Sequence, residues 1–413
     1  MIIEKLHLKN FRHFPEVNVH FNRGFNFISG PNGCGKTSIL AAIRHTLNSY
    51  IEYSRHGENC EYWIDVTEDG KRFRPGKGAG SITPIGYRKD TILNHVQPPE
   101  EQGREPVYYF DVVNKFKLPP LIIGAQRKIT YKDITGMTKE TEVSESRSHY
   151  CSNSLDYLYT AVERNIKQWI INRYFIIDKE WAIEERKNWE HLVNTLPRMA
   201  PFNSDFKYIK TGRDLEPIFS IYGKECYLEE LSSGFQAILY IIISIFEWVE
   251  SCMPEGERSV KNAEGTVLID ELDNHLHPEW QLTIRNGISS LFPKLQFIVT
   301  THSPHLLVSA KKNEIILLPP SYEKERYNIY PQSKAYSGWT TDLILTGLMG
   351  VLSLDNKEYE KLVGICYKNI EENDLDELKR NYSRLESISH PDDSILLVLK
   401  TRIAGMEAIR LLS

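Results

Sequence analysis

Apolar and polar side chains alternate along the beginning of the chain in a way that predicts strands. Residues 2–8 mix apolar and polar positions, residues 15–21 alternate, and residues 25–29 form a largely apolar run, so we expect three strands there. Apolar residues then recur at helical spacing, which predicts a helix over 37–48. Residues 75–106 are rich in glycine, proline and charge, so we expect a loop or a small insertion.

The middle of the chain changes to helical spacing. Four apolar residues recur at helical intervals: Leu155, Leu158, Tyr159 and Val162. Three tryptophans follow amid mixed charge: Trp169, Trp181 and Trp189. We expect a helical insertion here, with the tryptophans packed in its core. Residues 206–230 then predict a pair of strands.

The C-terminal part of the chain has the pattern of amphipathic helices. Six apolar or aromatic residues recur three and four positions apart: Tyr359, Leu362, Val363, Cys366, Tyr367 and Ile370. A second helix is predicted over 375–385 and a third over 394–412. The apolar stripe alone does not identify the surface that covers it. These helices either pack on the chain's own ATPase core or form a surface for dimerisation or partner docking.

Composition excludes several classes of protein. Of the 413 residues, 41% are hydrophobic and 25% are charged, as in ordinary globular proteins. The net charge of −5 gives no overall basic signature for nucleic acid. No run of about 18 apolar residues occurs, so we expect no membrane span. The six cysteines form no CxxC pair, and the N-terminus lacks a signal-peptide pattern, so we expect a reducing cytoplasm.

A phosphate-binding motif follows the third predicted strand. Residues 30–37 read GPNGCGKT and match GxxxxGK[ST] between a strand and a helix, which is the context that the motif needs. We expect Lys36 to reach the β and γ phosphates of ATP and Thr37 to hold Mg²⁺. Seven residues of the loop and the helix start are predicted to bind the nucleotide: Asn32, Gly33, Cys34, Gly35, Lys36, Thr37 and Ser38.

A second motif is the apolar run 266–269, which is followed directly by Asp270 and Glu271. The run predicts a buried parallel strand, which places its two acids at the sheet edge where ligands bind in α/β folds. Asp270 suits Mg²⁺ binding, either directly or through water. Glu271 suits a general base that activates the attacking water.

Two further motifs complete a set of four. Residues 231–236 read LSSGFQ and precede a long apolar helix, so Ser232, Ser233 and Gly234 would lie at a helix N-terminus able to bind a second phosphate. Residues 296–304 predict a short buried strand that ends in a polar cluster. Its His302 is expected beside the end of the Glu271 strand, within reach of a γ phosphate.

The order of these motifs resembles that of the ABC-type ATPases, and within them the SMC/RecF-like branch. Residues 6–12 (LHLKNFR) resemble the L-x-N-F-R start of that branch, in which the arginine, here Arg12, approaches the nucleotide phosphates. Residues 270–281 resemble the DE-x-D-x-HLHP-x-WQ motif of bacterial OLD-like ATPases. Residues 300–304 (TTHSP) also resemble the corresponding segment of those ATPases. The chain also resembles the stand-alone ATPases of antiphage systems, of the PtuA type (Septu and retron-associated) or the AriA type (PARIS).

The resemblance implies a fold: an α/β P-loop NTPase of the ABC type, with a mixed sheet, a helical insertion and a C-terminal helical region. We place the first ATPase lobe at 1–145, the insertion at 150–205, the second lobe at 206–318 and the helical region at 335–413. In SMC proteins a long coiled coil occupies the place of the insertion. About 50 residues here permit only a short arm, because a helix rises about 1.5 Å per residue.

The resemblance also implies partners and cofactors. Two subunits would face each other head to tail as a homodimer, or form a higher homo-oligomer, with ATP and Mg²⁺ between the phosphate loop of one copy and the signature of the other. Gln126, after a strand-like run, is our candidate for the glutamine that usually bridges to Mg²⁺. The signature departs from LSGGQ because Ser233 replaces a glycine.

Two biological roles remain open at this point. We find no TOPRIM-like acidic array after residue 320 and no HNH-like cluster, so one role is control of a separately encoded nuclease effector of either type in antiphage defence. The alternative is a RecF/SMC-like DNA-binding repair ATPase, which needs a basic groove. Seven residues could contribute to one: Lys71, Arg72, Arg74, Lys77, Arg127, Lys128 and Lys132. A transporter, and a membrane partner, are not expected.

Overall fold

The computed structural model describes residues 1–47, 56–83, 92–94, 96–108, 111–152, 156–159, 164–200, 204–323, 326–351, 357–391 and 393–412. The chain forms two compact units, Met1–Gly350 and Val351–Ser413. The second unit begins after residue 350, so residues 335–350 belong to the first. The finer division of the first unit into two lobes and an insertion stays a prediction.

Among the described residues, the strands all lie in the first unit. In chain order they are β1 (Ile2–Phe11), β2 (Phe14–His20), β3 (Phe25–Ser29), β4 (His56–Glu68), β5 (Lys71–Lys77), β6 (Ile82–Thr83), β7 (Ile92–Leu93), β8 (Glu105–Val107), β9 (Leu121–Ile123), β10 (Lys207–Thr211), β11 (Pro217–Ile221), β12 (Lys224–Tyr227), β13 (Thr266–Ile269), β14 (Gln296–Thr300), β15 (Ile315–Leu317) and β16 (Tyr327–Ile329).

The helices occur in both units. They are α1 (Lys36–His45), α2 (Val112–Lys115), α3 (Val143–Ser152), α4 (Asp156–Tyr159), α5 (Ile166–Ile176), α6 (Ile183–Met199), α7 (Ser233–Cys252), α8 (Pro278–Leu291), α9 (Pro304–Ser309), α10 (Thr341–Gly347), α11 (Lys357–Glu371), α12 (Leu375–Ile388) and α13 (Ser394–Leu412).

A five-stranded parallel sheet forms the centre of the first unit, in the order β15-β3-β14-β13-β9. Its strands are largely apolar and almost entirely buried, because both faces are covered. Val267 and Ile269 pack into one hydrophobic cluster, together with much of α7 and α8, whereas Leu268 packs into a second cluster with α1 and the six-stranded sheet. The sheet edge at the carboxyl ends of these strands is therefore held from both sides.

The second sheet is six-stranded, in the order β16-β2-β1-β4-β5-β8. Its middle strands are antiparallel, and a parallel strand closes each edge, so the sheet is mixed as expected. The α/β P-loop ATPase fold is thus confirmed. The segment 75–106 is more ordered than the predicted loop, because β5 extends into it and β6, β7 and most of β8 lie within it.

The middle of the chain is helical, as predicted. Leu158 and Tyr159 lie on the short helix α4, whereas Leu155 and Val162 fall outside the described residues. Trp169 and Trp189 are 5% and 9% exposed and pack in the core. The prediction was wrong for Trp181, which is 62% exposed, because it lies in the turn before α6 and not on a helix face. The predicted strand pair is a three-stranded meander, β10-β11-β12.

The helix that begins at the signature, α7, is buried along almost its whole length. Among the described residues it is the one helix long and apolar enough to cross a membrane, and 83% of its apolar stretch is buried inside the first unit. Core helices of this kind meet the same criteria of length and composition as membrane spans. Burial assigns α7 to the protein core.

In the described part of the second unit, α11, α12 and α13 pack on one another. The apolar stripe of α11 is confirmed, with Leu362 and Cys366 buried against Leu378 of α12 and Leu399 of α13. Tyr367 of the predicted stripe is exposed. The stripe is thus covered inside its own unit, a packing that neither sequence-based alternative anticipated.

Candidate nucleotide-binding site

Sheet order brings three of the four motifs together. β3, β13 and β14 run parallel, with Ile28 beside Thr300 and Val299 beside Ile269. The segments that follow these strands therefore meet at one edge of the sheet. They are the phosphate loop 30–37, the acids Asp270 and Glu271, and the segment that carries His302.

The phosphate loop requires its glycines. Gly35, the last residue before α1, has φ 102°, and a Cβ there would lie 2.5 Å from the Phe14 ring and 2.6 Å from His13 Nε2. The left-handed conformation and the close approach both exclude a side chain. Asn32 and Gly33 form the exposed crest of the loop. The N-terminus of α1 thus faces the loop without a side-chain cap, as a phosphate requires.

Two side chains from outside the phosphate loop contact its backbone, one from the β1–β2 turn and one from the segment after β15. His13 Nε2 lies 3.2 Å from the carbonyl oxygen of Cys34, and the Tyr322 hydroxyl donates to the same oxygen over 3.1 Å. Burial raises the pKa of the Cys34 thiol, so it stays protonated at neutral pH. Cys34 is therefore a structural member of the loop.

Lys36 lies inside the loop and is buried. Its Nζ donates to the carbonyl oxygens of Gly30 and Pro31, each over 2.9 Å. Burial lowers the pKa of Lys36, and the acids Asp270 and Glu271 partly oppose that shift. The ammonium group is held by neutral carbonyls, so phosphate oxygens fit here as stronger partners.

Thr37 and Asp270 meet across the two motifs. The Thr37 hydroxyl donates to the Asp270 carboxylate, with both oxygens at 3.1 Å, and the Thr300 hydroxyl donates to it over 2.5 Å. Burial raises the pKa of Asp270, and the two hydroxyl donors act against that rise. A threonine hydroxyl beside a buried carboxylate is a donor set that fits Mg²⁺, which binds one or two carboxylates together with phosphate oxygens.

Glu271 has an unusual backbone conformation. Its φ is +49°, a left-handed value that costs a residue with a side chain about 1–2 kcal/mol. Its N–H donates to the Thr300 hydroxyl over 2.8 Å. The guanidinium of Arg127 donates to the carbonyl oxygens of Asp270 and Glu271, the second over 3.0 Å, and to that of Gly124 over 2.9 Å. Such strain concentrates at functional sites.

His302 is exposed at the same edge. Its N–H donates to Asp273 Oδ1 over 3.3 Å, and the Thr301 hydroxyl donates to the same oxygen over 2.7 Å. Asp273 therefore ties the segment of His302 to the segment of Glu271. The expected neighbourhood of His302 and the Glu271 strand is present.

Arg12 and Gln126 are two further residues that the sequence predicts at this site. Arg12 donates to the Ser38 hydroxyl over 2.8 Å, in the first turn of α1, and also to the Tyr159 hydroxyl. Gln126 follows β9, the strand next to β13, and its side chain is exposed. Their predicted contacts with phosphate and Mg²⁺ stay predictions.

The signature lies apart from the phosphate loop of its own chain. Helix α7 begins at Ser233 as predicted, and Ser232 and Ser233 are exposed. Among the described residues, no hydrogen bond or ion pair joins them to residues 30–37. Gly234 is packed tightly, since a Cβ there would lie 3.0 Å from the carbonyl oxygen of His275 and 3.4 Å from the Trp280 ring. The HLHP segment thus supports the signature from below.

The predicted basic groove needs a correction. Arg74, Lys77 and Arg127 are buried and cannot line an exposed groove. Arg74 pairs with Asp65, and Lys77 donates to the carbonyl oxygen of His45 over 2.9 Å. Four of the seven residues are exposed: Lys71, Arg72, Lys128 and Lys132.

Sequence reasoning missed several side chains of the site. Thr300 and Asp273 stand within the quoted motifs, so a strand ending in hydroxyls beside acids was an available signal. Arg127 follows Gln126 directly and was considered only for DNA. Burial lowers its pKa to about 10, so it stays charged at neutral pH.

Family models and known proteins resemble this chain over most of its length. A family model described as "AAA domain" matches residues 5–216, and a second AAA-domain model, whose description also names a type IV toxin–antitoxin system, matches residues 144–309. The Septu protein PtuA of Bacillus thuringiensis is 28% identical over 413 residues, covering 98% of each chain. The Retron Ec83 probable ATPase of Escherichia coli is 24% identical over 481 aligned positions, covering 97% of this chain and 86% of its own.

Two more distant likenesses complete the comparison. The DNA replication and repair protein RecF of Histophilus somni is 51% identical over 113 residues, which cover 24% of this chain and 32% of RecF. A solved SMC head bound to the C-winged helix domain of ScpA is 18% identical with a TM-score of 0.46, covering 82% of this chain and all of that one, a likeness too weak to carry an argument. The first family model spans just over half of the chain. The chain therefore belongs to the AAA domain family, as an ABC-type ATPase related to the ATPases of antiphage defence systems.

Proposed function

We propose that the chain hydrolyses ATP with Mg²⁺ and acts as the sensor or regulator subunit of an antiphage defence system that controls a separate nuclease effector. The hydrogen bond from Thr37 to Asp270 is the observation that carries the enzymatic part. It joins the phosphate loop to the acidic strand end in one chain, with Glu271 as the next residue.

Each residue has a role that follows from its place. Lys36 and the N–H groups at the start of α1 neutralise and orient the phosphates. Thr37 and Asp270 hold Mg²⁺, which supplies charge stabilisation to the phosphates when bound. Glu271 takes the proton of the attacking water, and His302 contacts the γ phosphate. Arg12, on Ser38, adds positive charge at the same edge.

A complete site needs a second copy of the chain. The exposed signature residues Ser232 and Ser233 support this, because among the described residues no hydrogen bond or ion pair joins them to the phosphate loop of their own chain. A head-to-tail homodimer satisfies both half-sites with one interface. ATP then bridges the copies, and hydrolysis releases them.

The defence role is supported by relatives and motifs together. The likeness to Septu PtuA extends over almost the whole chain, and the retron ATPase match covers nearly as much. A DNA-clamp role of the RecF kind has less support, since the RecF match is confined to a quarter of this chain and three of the seven proposed groove residues are buried.

The test uses the chain expressed with its flanking genes in bacteria challenged with phage. We expect protection to be lost in Lys36→Ala and Glu271→Gln, and the tagged Glu271→Gln protein, isolated with ATP, to carry a stoichiometric partner with nuclease motifs. Deletion of that partner should also abolish protection. A bare homo-oligomer with DNA affinity that falls steeply with salt would instead support the RecF-like role. Full protection by Lys36→Ala would contradict the proposal.

A further inference from the structure

The strained backbone of Glu271 needs a physical support. A glutamate in the left-handed region relaxes unless its surroundings hold the peptide groups on both sides. The φ of +49° fixes where the Glu271 side chain leaves the backbone, since the Cβ direction depends on the two flanking peptides. Whatever holds those peptides also sets the direction of the carboxylate.

Arg127 contacts the flanking peptides on both sides. The carbonyl of Asp270 belongs to the peptide before the Glu271 α-carbon, and the carbonyl of Glu271 belongs to the peptide after it. One guanidinium nitrogen, Nη2, donates to both oxygens, and Nε of the same planar group donates to Gly124 O over 2.9 Å. Thr300 pins the opposite end of the first peptide through the N–H of Glu271.

The chemistry of this contact favours arginine. A guanidinium is planar and offers several donors in a fixed fork, whereas a lysine is a single point charge on a flexible stem. Arg127 is 3% exposed and makes no ion pair with a carboxylate among the described residues. Its buried charge is directed at backbone carbonyls beside the acids Asp270 and Glu271.

The neighbouring residues keep this arginine in place. Asn274 donates to the carbonyl oxygen of Ala125 over 3.2 Å, which ties the segment before Arg127 to the turn after Glu271. Gln126, between Ala125 and Arg127, is exposed. The short segment 124–127 therefore lies against the end of β13 through both main-chain and side-chain contacts.

We propose that Arg127 is a positioning residue for ATP hydrolysis, which fixes the two peptide groups around Glu271 and thereby aims its carboxylate at the attacking water. The inference rests on the proposed function, in which Glu271 is the general base. Arg127 itself contacts neither the nucleotide nor the attacking water. It affects turnover by setting the position of the Glu271 carboxylate.

The test compares Arg127→Met and Arg127→Lys with the wild type and with Glu271→Gln. Arg186→Met is the matched control, because Arg186 also donates to two backbone carbonyls, those of Ile177 and Lys179, far along the chain in the α5–α6 turn. We expect kcat to fall about 10–100-fold in Arg127→Met, the effect of slight misplacement of a catalytic group. Affinity for a non-hydrolysable ATP analogue should stay within about twofold, and Arg186→Met should match the wild type.

Two further readouts separate positioning from general structural support. In single-turnover hydrolysis, Arg127→Met added to Glu271→Gln should cause no further loss, since both changes disable the same carboxylate. In Arg127→Ala, guanidinium ion at sub-denaturing concentration should restore part of the turnover. If Arg127→Met does not fold, Arg127→Lys carries the same comparison with the charge retained.

The outcomes are distinguishable. Wild-type kcat in a folded Arg127→Met or Arg127→Lys protein, beside a disabled Glu271→Gln, overturns the inference and leaves the proposed function intact. Parallel losses of kcat and analogue affinity, or fully additive losses in the double variant, also overturn it. If Glu271→Gln itself hydrolyses ATP at the wild-type rate, the proposed function and the inference fall together.

Discussion

The phosphate loop and the signature are both glycine-containing turns at helix N-termini, yet the chain treats them differently. The phosphate loop is enclosed by its own chain, with Lys36 buried and Thr37 bonded to Asp270. Ser232 and Ser233 of the signature are exposed, and the support beneath them comes from Trp280 and the carbonyl of His275. Within one chain, the phosphate-loop half of the site is enclosed and the signature half is exposed, an arrangement that the proposed homodimer would complete.

The largest expected effect on turnover comes from a change in the enclosed half of the site, at Glu271. Glu271→Gln keeps the shape of the side chain but removes the base, so turnover should fall by about 10²–10⁴ while ATP binding is retained. Steady-state hydrolysis and analogue titration measure the two quantities. Glu264→Gln is the matched control, because Glu264 is exposed just before the opposite end of the same strand, β13. Equal rates in the two variants would remove Glu271 from the role of base.

The next largest effect comes from the open half. Ser232→Arg places bulk and charge on the exposed helix start without disturbing the packed core. Turnover should fall by about 10²-fold, as when one stabilising donor is removed from a reacting charge. Binding of ATP to the loop of the same chain should persist. Native mass with ATP then reports assembly, and a Ser232→Arg protein that still assembles and hydrolyses would place the signature outside the site.

A smaller effect distinguishes the two glycines. Gly35→Ala should lower the free energy of unfolding by about 2 kcal/mol or more, because a left-handed Cβ is strained and meets Phe14 at 2.5 Å. Gly234→Ala should change it by about 1 kcal/mol or less, because the contact at 3.0 Å is opposed by the better helix propensity of alanine. Denaturant unfolding measures both. A larger loss of unfolding free energy in Gly234→Ala than in Gly35→Ala would contradict this prediction.

The smallest expected effect is a pH dependence that belongs to the loop alone. Burial lowers the pKa of Lys36, so this lysine loses its proton at a lower pH than an ordinary lysine. Analogue affinity should therefore fall as the pH rises through that pKa, and the positive charge is fully present below it. The Cys34 thiol does not add to the profile at lower pH, since burial raises its pKa. Ser232→Arg should show the same profile, and a flat profile would contradict the assignment.

The contiguous motifs made much of the fold and site predictable. Each motif predicts its local structure within a few residues: the phosphate loop GxxxxGK[ST], the apolar strand before Asp270 and the helix start after Ser232. Because the strands before the first two motifs are parallel, those two motifs lie at the same sheet edge. The helices of the second unit were predictable for the same reason: α13 has the predicted bounds, Ser394–Leu412.

The remainder depended on contacts between distant parts of the chain. Arg127 reaches Asp270 across more than a hundred residues, and Tyr322 reaches the carbonyl of Cys34 across more than two hundred. The sequence around a charged residue such as Lys77 does not indicate that its side chain is buried. The pKa of Lys77 falls to about 7 because the β sheet and α1 enclose the side chain. Trp181 shows the reverse case, an aromatic residue that a turn leaves exposed.

The central claim, that one copy supplies the phosphate loop and another the signature, is tested most directly by mixing two inactive variants. Lys36→Ala disables the loop and Ser232→Arg disables the signature, so each protein alone should hydrolyse almost no ATP. In the mixture, mixed dimers contain one intact loop facing one intact signature, and hydrolysis should return. A mixture as inactive as its components, while both still bind one another, would contradict the account.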